Sequence, residues 1–537
     1  MAGCTSSAEG EPAAVALALA QGKALACGPR HVSAHQGSDV DAAGAPNECR
    51  LPEAPCRTIQ RAADAACAGD EVAIGAGDYV ENVVVRKALT LTGEGRRTTW
   101  LRPAVSAPAP CENGTLCGGA ASSVVLVQAD HVTVRDLSID GDNPSLTSGV
   151  VVGGADVDAR NGIITNNLAG SFGDLRVERV RVSNVYLRGI QIGNGGSFVF
   201  RGNVVRNVRG SSQSVAIFNF GGAGTIEGNL VFDANDAISS NHSRGTRMAG
   251  NGVYGSGSGL HTDNAGDSAN SSPDRLEANA VTGCSPDGYG VWALLPYVAP
   301  TVRENLVLGC AVGLAAFGQG APVAPVFARN FVDGGRRQDS VGFYATNDQL
   351  GFGAGHARVA FSGNALRNND FGAHLEQLAG FTLAVELTCS AIVGNDTGVL
   401  ASSAAGPLVG SSLRGNVIAD SELVGVDATG LAEVPLDATG NFWGCFGGPG
   451  AQGCDDVAGD VATLPFLPFP VPCAGPAARA DEAGRAALDA LVAEAHEEGL
   501  LLEHQTERAP PPADLGRPLA GQARTASARR RPEPASL

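Results

Sequence analysis

Short apolar runs separated by small and polar residues recur along most of the chain. Each run follows an element x-x-Asn-x-[Val/Leu/Ile/Trp], which places asparagines at Asn203, Asn229, Asn251, Asn279, Asn305, Asn330, Asn364, Asn416 and Asn441, with Ser390 in the same frame. A second apolar segment usually opens after a glycine, as in Gly259-Leu260 and Gly290-Val291. The apolar positions alternate with a period of two, so each repeat predicts about three short strands separated by turns.

A repeat of about 22–30 residues cannot bury its apolar side alone. Stacked coils solve this problem, because equivalent residues then lie about 4.8 Å apart and form one continuous core. Asparagine suits a repeated turn, since it tolerates the left-handed backbone conformation and its amide bonds to the copies above and below. The pattern therefore predicts an all-β solenoid with three-strand coils.

The two ends of the chain differ from the repeat. Residues 57–67 place Ile59, Ala62, Ala63 and Ala66 on one helical face, which predicts a lid over the bottom of the core. Near the C-terminus, 477–504 reads as an amphipathic helix that we expect to dock on the upper end, with Leu488, Leu491, Val492 and Ala495 on one side. The expected divisions are a leader and extension (1–48), the solenoid (49–473), this helix (474–507) and a disordered tail rich in Pro, Ala and Arg (508–537).

Three features together resemble the pectin-lyase-like right-handed parallel β-helix superfamily over roughly residues 50 to 470. They are the asparagine repeat, the segment 55–64 with its continuation 69–72 and 79–82, and the segments 440–444, 448–449 and 465–467. The segment 55–64 and its continuation resemble the capping helix and first coil of such proteins, and the last three segments resemble their closing coil. The resemblance implies a right-handed parallel β-helix that binds sugar on one outer face. It implies no single activity, because this scaffold carries lyases, hydrolases, esterases, epimerases and non-catalytic proteins.

Charge and hydropathy narrow the partners. The 537 residues carry a net charge of −18, which repels nucleic-acid phosphates. No run of 18 apolar residues occurs, so the sequence predicts no membrane span. The partner that the resemblance implies is a polysaccharide or a cell-surface glycan, and we expect the chain to be a monomer.

Thirteen cysteines point to an oxidising compartment. Several lie in short loops without zinc-type spacing, as in the pairs Cys49/Cys56, Cys111/Cys117 and Cys445/Cys454. Cys284 and Cys310 are expected to stack one coil apart, either as a disulfide or as free thiols. The start Ala2-Gly3-Cys4 is similar to the cleavage end of a bacterial lipoprotein signal, which predicts lipidation of Cys4 and a secreted or surface-anchored bacterial lipoprotein.

The strands that follow the recurring glycines are expected to place one row of side chains on the outer surface of the solenoid. The first apolar residue of each strand points inward and the next points outward, which gives Gln191, Ser239, His261, Trp292, Ala315, Tyr344, His374, Leu400 and Asp427. His261 and His374 are four coils apart, or about 19 Å at strand spacing, enough for several sugar units. Aromatic faces pack on sugar rings, so Gln191, Trp292, Tyr344 and His374 are the predicted substrate-binding residues.

Polar residues are densest in two consecutive coils, at Asp236, His242, Arg244, His261 and Asp263. For β-elimination from a uronic acid polymer, Arg244 or a bound Ca²⁺ would neutralise the carboxylate and His261 or His242 would take the C5 proton. For hydrolysis, Asp236 and Asp263 would flank the glycosidic bond. The remaining interpretation is that these are turn residues that bond their own backbone.

The loop Asp140-Gly141-Asp142-Asn143 offers closely spaced oxygen ligands, so Ca²⁺ is the one cofactor that the sequence suggests. An ordinary Asp/Asn turn fits the same residues. The sequence thus leaves two hypotheses. One is an exported glycan-binding protein with or without polysaccharide lyase or glycosidase chemistry, and the other is a non-enzymatic surface, adhesion or structural solenoid.

Overall fold

The computed structural model describes residues 27–264, 271–318, 320–350, 353–404, 406–431, 434–472 and 478–497. Three ladders of parallel strands wind around one core as a right-handed parallel β-helix, which confirms the predicted fold class. The remaining pair of strands, Val151–Val152 and Ala155–Asp156, is antiparallel. Lipidation of Cys4 and disorder of the tail concern segments outside the described residues.

The first ladder contains the strands that precede the repeated asparagines. Its strands are Arg30–Val32, Glu71–Ile74, Thr90–Gly93, Thr133–Arg135, Leu175–Glu178, Ser197–Arg201, Ala223–Glu227, Thr246–Ala249, Arg275–Glu277, Thr301–Arg303, Val326–Ala328, Ala357–Ser362, Leu383–Thr388, Ser412–Arg414, Leu436–Asp437 and Val461–Ala462.

The second ladder contains the strands that follow the asparagines. Its strands are Gly77–Val80, Thr99–Arg102, Ser138–Asp140, Arg181–Ser183, Val204–Val208, Leu230–Ala234, Gly252–Tyr254, Ala280–Thr282, Leu306–Leu308, Phe331–Thr346, Ala365–Gln377, Ala391–Val393 and Val417–Ala419.

The third ladder completes each coil and carries the face of interest. Its strands are Val83–Val85, Ser123–Val127, Asn161–Thr165, Arg188–Ile192, Val215–Phe220, Asp236–Ser243, Ser258–Asn264, Tyr289–Leu294, Val312–Phe317, Thr397–Ser403, Val424–Gly430 and Val457–Gly459. The long strands Phe331–Thr346 and Ala365–Gln377 run through the turn and belong to both the second and third ladders.

Inward side chains of the third ladder form an unbroken apolar column. It includes Ile190, Ile217, Ile238, Leu260, Val291, Leu314, Phe343, Ala373, Val399 and Val426, all fully buried. The glycine before such a residue allows close approach between coils. A Cβ at Gly189 would lie 2.5 Å from the carbonyl oxygen of Ala216, a distance that real side chains do not adopt.

The repeated asparagines form a hydrogen-bonded ladder, as predicted. From Asn203 to Asn330, each amide nitrogen donates to the side-chain oxygen of the next asparagine at 2.8–3.0 Å. The conformational reason given for asparagine was wrong, because the left-handed residue is the one before it, such as Gly202 or Glu304. Asparagine suits this position because its side-chain amide forms hydrogen bonds with both neighbouring coils.

The capping helix is confirmed as Ile59–Ala65, with Ile59, Ala62, Ala63 and Ala65 buried. Thr58 caps it by accepting a hydrogen bond from the backbone N–H of Arg61. At the other end of the core, the predicted closing coil buries Trp443 completely. Both ends of the solenoid are therefore covered by elements that the repeat does not contain.

The C-terminal helix is Ala478–Glu497, and its predicted position on the upper end was wrong. Its side chains pack on the outer side of the second ladder, where Ala487, Leu488, Leu491 and Ala495 form one cluster with Val204, Leu230, Phe232, Ala280, Leu306, Phe331 and Ala365. Glu494 lies 3.6 Å from both Arg96 and Arg181, which fixes the end of the helix near the lower coils. The outer apolar row of this ladder needs cover, and the helix supplies it. Among the described residues, no helix is both long and apolar enough to cross a bilayer.

Disulfides form at the predicted short loops and also between coils. The bonded pairs include Cys27–Cys67, Cys49–Cys56, Cys111–Cys117, Cys284–Cys310 and Cys445–Cys454. The Cα atoms of Cys284 and Cys310 are 4.9 Å apart, which is within the range that a disulfide bridges. The disulfide alternative for this stacked pair is therefore the correct one.

Candidate functional site

The predicted outward row exists, with one additional residue. Strand pairing stacks its members in the order Gln191, Phe218, Ser239, His261, Trp292, Ala315, Tyr344, His374, Leu400 and Asp427. The prediction from sequence omitted Phe218, whose strand has Ala216 where the preceding strand has Gly189. Four coils separate His261 from His374, as expected.

The middle of this row is covered, which corrects the expectation of an open aromatic stripe. Trp292 is 6 % exposed and packs in an apolar cluster with Tyr289, Phe317 and Leu350. Its indole Nε1 donates to Ser258 Oγ at 2.9 Å. Trp292 is thus a packing residue here, and its ring face contacts His261 rather than solvent.

Three outward columns of polar residues meet in two adjacent coils. The strand Asp236–Ser243 contributes Asp236, Ser239 and Asn241, and the strand Ser258–Asn264 places one residue beside each of them, namely Ser258, His261 and Asp263. We call these six residues the polar patch. Ser239 and His261 are successive members of the predicted outward row, and the ladder register places them side by side.

His261 is the centre of the polar patch and is 1 % exposed. Its Nε2 lies 2.8 Å from Ser239 Oγ and 2.9 Å from Asn241 Oδ1. Its Nδ1 lies 3.2 Å from Asp236 Oδ2, at ion-pair distance but without hydrogen-bond alignment. Trp292 stacks on the ring with centroids 4.2 Å apart. Four neighbours therefore fix the orientation of this imidazole.

Asp263 and Asn241 are the two partly exposed members of the polar patch. Burial raises the pKa of the Asp263 carboxyl to about 6, and the nearby His242 and His261 oppose that rise. His242 is exposed and meets Phe220 edge-on, with ring centroids 5.0 Å apart. The structure thus keeps His242 beside the polar patch.

Arg244 does not join the polar patch. It is exposed, and its side chain makes no hydrogen bond or ion pair with any described residue. Arg244 therefore does not occupy the position beside His261 that the β-elimination hypothesis gave it.

A pocket of about 340 Å³ opens beside the polar patch on the side of the lower coils. Its lining includes Asn167, Arg188, Gln191, Phe218, Phe220, Asp236, Ser239 and Asn241. Four side-chain atoms in this lining are buried and have no hydrogen-bond partner among the described residues, namely Asn167 Oδ1, Arg188 Nε, Gln191 Oε1 and Asp236 Oδ1. Buried polar atoms almost always have partners, so this concentration is typical of a ligand site.

Arg188 is the cation of this pocket, and reasoning from sequence missed it. It is 9 % exposed, and its guanidinium carbon lies 4.6 Å from the ring centroid of Phe218. Burial lowers its pKa to about 10, and the charge of Asp236 opposes this shift. The signal in the sequence was a charged residue directly before Gly189, a position that is otherwise small or apolar in most coils.

The predicted substrate-binding residues Tyr344 and His374 lie higher on the same face and are half-buried. Tyr344 donates its hydroxyl hydrogen to Glu376, and burial followed by the Glu376 charge raises the pKa of the phenol. His374 Nε2 lies 3.2 Å from Ser402 Oγ, and burial lowers the pKa of this histidine. This second cluster begins three coils above His261, so it does not share a pocket with the polar patch.

The proposed calcium loop forms a turn network. Asp140 Oδ2 accepts from Arg102 at 2.8 Å, and Asp140 Oδ1 accepts from Asn184 at 2.8 Å. Asn143 donates its side-chain amide to Pro103, and burial raises the pKa of Asp142. Within the described residues no group of three His, Cys, Asp or Glu side chains has metal-binding geometry. Amide and backbone oxygens also bind calcium, so a site at Asp140, Asp142 and Asn143 stays a prediction.

The three ladders define a right-handed parallel β-helix. No protein-family model matches the chain, and no curated protein is significantly similar to it in sequence. The A-module of Azotobacter vinelandii mannuronan C-5 epimerase AlgE4 aligns at 16 % identity over 77 % of this chain and 92 % of its own, with a TM-score of 0.34.

Two further solved structures align with similar scores. The catalytic unit of a GH87 α-1,3-glucanase from Streptomyces thermodiastaticus is 13 % identical over 76 % of this chain and 66 % of its own, with a TM-score of 0.36. A pectin methylesterase variant in complex with a hexasaccharide is 13 % identical over 52 % of this chain and 78 % of its own, with a TM-score of 0.27. At such values the likeness assigns no activity to this chain.

Proposed function

We propose that this chain binds a polysaccharide or cell-surface glycan on the third-ladder face, with one sugar unit held in the pocket beside the polar patch. The observation that carries the proposal is the set of buried polar atoms without partners, among the described residues, that line this pocket. A sugar ring carries several hydroxyls that both donate and accept, so two of them can donate to Gln191 Oε1 and Asp236 Oδ1 while one accepts from Arg188 Nε.

Size and composition of the pocket support a sugar over other ligands. Its volume of about 340 Å³ is at the small end of ligand pockets, which suits one ring rather than an extended segment. Phe218 and Phe220 supply apolar faces for the ring carbons. The net charge of −18 disfavours phosphate-rich partners such as nucleic acid.

Disulfides between and within coils support export to an oxidising compartment. We infer that the chain is exported, that it binds its glycan as a monomer, and that it is either secreted or anchored to the cell surface. A structural or adhesion solenoid without ligand binding remains the alternative, and it predicts that the pocket residues are dispensable.

Glycosidic hydrolysis is a second candidate, favoured by Asp263. A carboxyl whose pKa is raised to about 6 by burial stays partly protonated near neutral pH, as a general acid must. Asp236 would be the second carboxylate. Its test is release of reducing ends from a bound glycan, lost in Asp263→Asn.

A glycan binding screen followed by calorimetry tests the main proposal. Gln191→Ala removes one unpartnered pocket atom, and we expect about tenfold weaker binding, the value of one hydrogen bond. Gln338→Ala is the matched control, because Gln338 is exposed and lies in a different pocket beside Arg336 and Asp370.

The two variants separate the hypotheses. Weaker binding by Gln191→Ala together with unchanged binding by Gln338→Ala supports the pocket. Equal affinity of both variants and the parent chain places the ligand elsewhere, and no binding to any glycan in the screen refutes the proposal.

A further inference from the structure

Three side chains of the polar patch have the relative positions of a nucleophile, a base and an orienting carboxylate. Ser239 Oγ lies 2.8 Å from His261 Nε2, and Asp236 Oδ2 lies 3.2 Å from Nδ1 on the opposite side of the ring. A serine hydroxyl is a weak nucleophile until a base takes its proton, and the base works when a third group holds its other nitrogen protonated.

The surroundings of the ring fix its position. With the proton on Nδ1, beside Asp236 Oδ2, the Nε2 lone pair is directed at Ser239 Oγ. Trp292 stacks on the ring and prevents it from turning. Asn241 Oδ1 accepts from Ser239 Oγ at 2.7 Å and lies 2.9 Å from Nε2, so the serine must turn its hydroxyl hydrogen from Asn241 to His261 before it reacts.

Ser239 is fully buried and is one of the residues that line the ligand pocket. Ser239 and Asp236 both line it, as do Arg188 and Gln191, which carry N–H groups. Arg188 and Asp236 are each less than 10 % exposed, and each has a buried polar atom without a partner among the described residues. A carbonyl carbon placed against Ser239 would therefore have cationic and amide donors nearby for its oxygen, the requirement for stabilising an oxyanion.

We propose that Ser239 is the nucleophile of an ester hydrolase acting on O-acyl groups of the glycan bound in this pocket, an inference that rests on the proposed glycan binding. Ser239 Oγ attacks the acyl carbonyl carbon while its proton passes to His261 Nε2. The tetrahedral intermediate collapses with cleavage of the bond between that carbon and the sugar oxygen, which takes the proton from His261.

The second half of the reaction restores the serine. A water molecule attacks the acyl–Ser239 ester as His261 takes one of its protons, and the bond between the acyl carbon and Ser239 Oγ then breaks. The proton returns to Oγ, and the products are the free sugar hydroxyl and a carboxylic acid. Water is the only co-reactant, and no oxidant or reductant takes part.

The first experiment locates the nucleophile without any variant. The full chain is treated with a fluorophosphonate probe, and the labelled peptide is identified by mass spectrometry. We expect the phosphonate on Ser239. Labelling of a different serine, or no labelling at a probe concentration that modifies a reference esterase, overturns the proposal.

The second experiment measures acyl release. Acetate release from O-acetylated polysaccharides and turnover of p-nitrophenyl acetate are compared for the parent chain, Ser239→Ala and Ser402→Ala. Ser402 is the matched control, because it also lies against a histidine, His374, at 3.2 Å. We expect at least a hundredfold loss for Ser239→Ala, no change for Ser402→Ala, and no further loss when His261→Ala is added to Ser239→Ala.

Glycan binding by the same variants separates this proposal from the previous one. Binding retained by Ser239→Ala with acetate release lost supports both. Binding by the parent chain without acetate release or labelling overturns the esterase and leaves glycan binding in place. Ester hydrolysis without glycan binding supports the nucleophile and overturns the assignment of the substrate as a glycan.

Discussion

The asparagine ladder makes a quantitative prediction at Asn305. Its side chain donates to the carbonyl of Leu276 and to Asn330 Oδ1, both at 2.9 Å. It also accepts from the backbone and side-chain nitrogens of Asn279, at 3.1 and 2.8 Å. Asn305 is fully buried, so water cannot replace these partners in Asn305→Ala. Four hydrogen bonds at about 1 kcal/mol each predict a loss of roughly 4 kcal/mol in the free energy of unfolding.

The chain contains a natural control for this substitution. Ser390 occupies the same frame and makes two hydrogen bonds where Asn305 makes four: its hydroxyl accepts from the backbone of Asn364 and donates to Thr388 in its own coil. Asn305→Ser should therefore cost roughly half as much as Asn305→Ala, and Ser390→Asn should raise stability by about 2 kcal/mol.

Urea denaturation followed by circular dichroism measures these differences, and hydrogen exchange of the Asn279 amide localises them. That amide should exchange faster in Asn305→Ala, because its acceptor is gone. A loss below about 1 kcal/mol for Asn305→Ala, or equal losses for alanine and serine, would refute the view that the amide hydrogen bonds stabilise the stack.

Three further outcomes are expected. The raised pKa of Asp263 means that stability falls as pH rises from the unfolded pKa near 3.8 to about 6. Asp263→Asn should therefore melt higher than the parent at pH 7 and equally near pH 3, in thermal scans against pH. Replacing Cys284 and Cys310 by serine opens a 26-residue loop and should lower the unfolding free energy by roughly 3.5 kcal/mol in denaturant titrations; no change would mean that coil stacking already supplies the constraint. Leu491→Ala, at a buried position, should make the C-terminal helix sensitive to limited proteolysis, whereas Val492→Ala, at an exposed one, should not.

The solenoid was predictable from sequence because its cause is periodic. The recurring asparagine and the recurring glycine mark equivalent positions in successive coils. Aligning the coils on these positions places Ser239 beside His261, as the structure has them. The docking position of the C-terminal helix was not predictable. It depends on the outer apolar row of the second ladder, which the sequence spreads over separate coils between Val204 and Ala365.

The pocket escaped prediction for a related reason. Arg188 and Asp236 are two coils apart, and each has the pattern of an isolated charge before a small residue. Burial of Trp292 depends on neighbouring side chains such as Leu350 that lie outside the repeat. The repeat period and the alternation of apolar and polar residues predict whether a side chain points inward or outward. They do not predict which other side chains cover it.

The distribution of polar residues along the third ladder argues that the polar patch serves a ligand rather than the fold. Inward residues hold the coils together, so outward positions are free to vary without loss of the core. The coil below the patch presents Val215, Phe218 and Phe220, and the coil above presents Tyr289, Trp292 and Leu294. Six polar residues are thus confined between two apolar coils, where their burial costs free energy that an apolar sequence would avoid. The upper coil closes against His261 through Trp292, while the pocket lies on the lower side, so a substrate must approach the polar patch across Phe218 and Phe220.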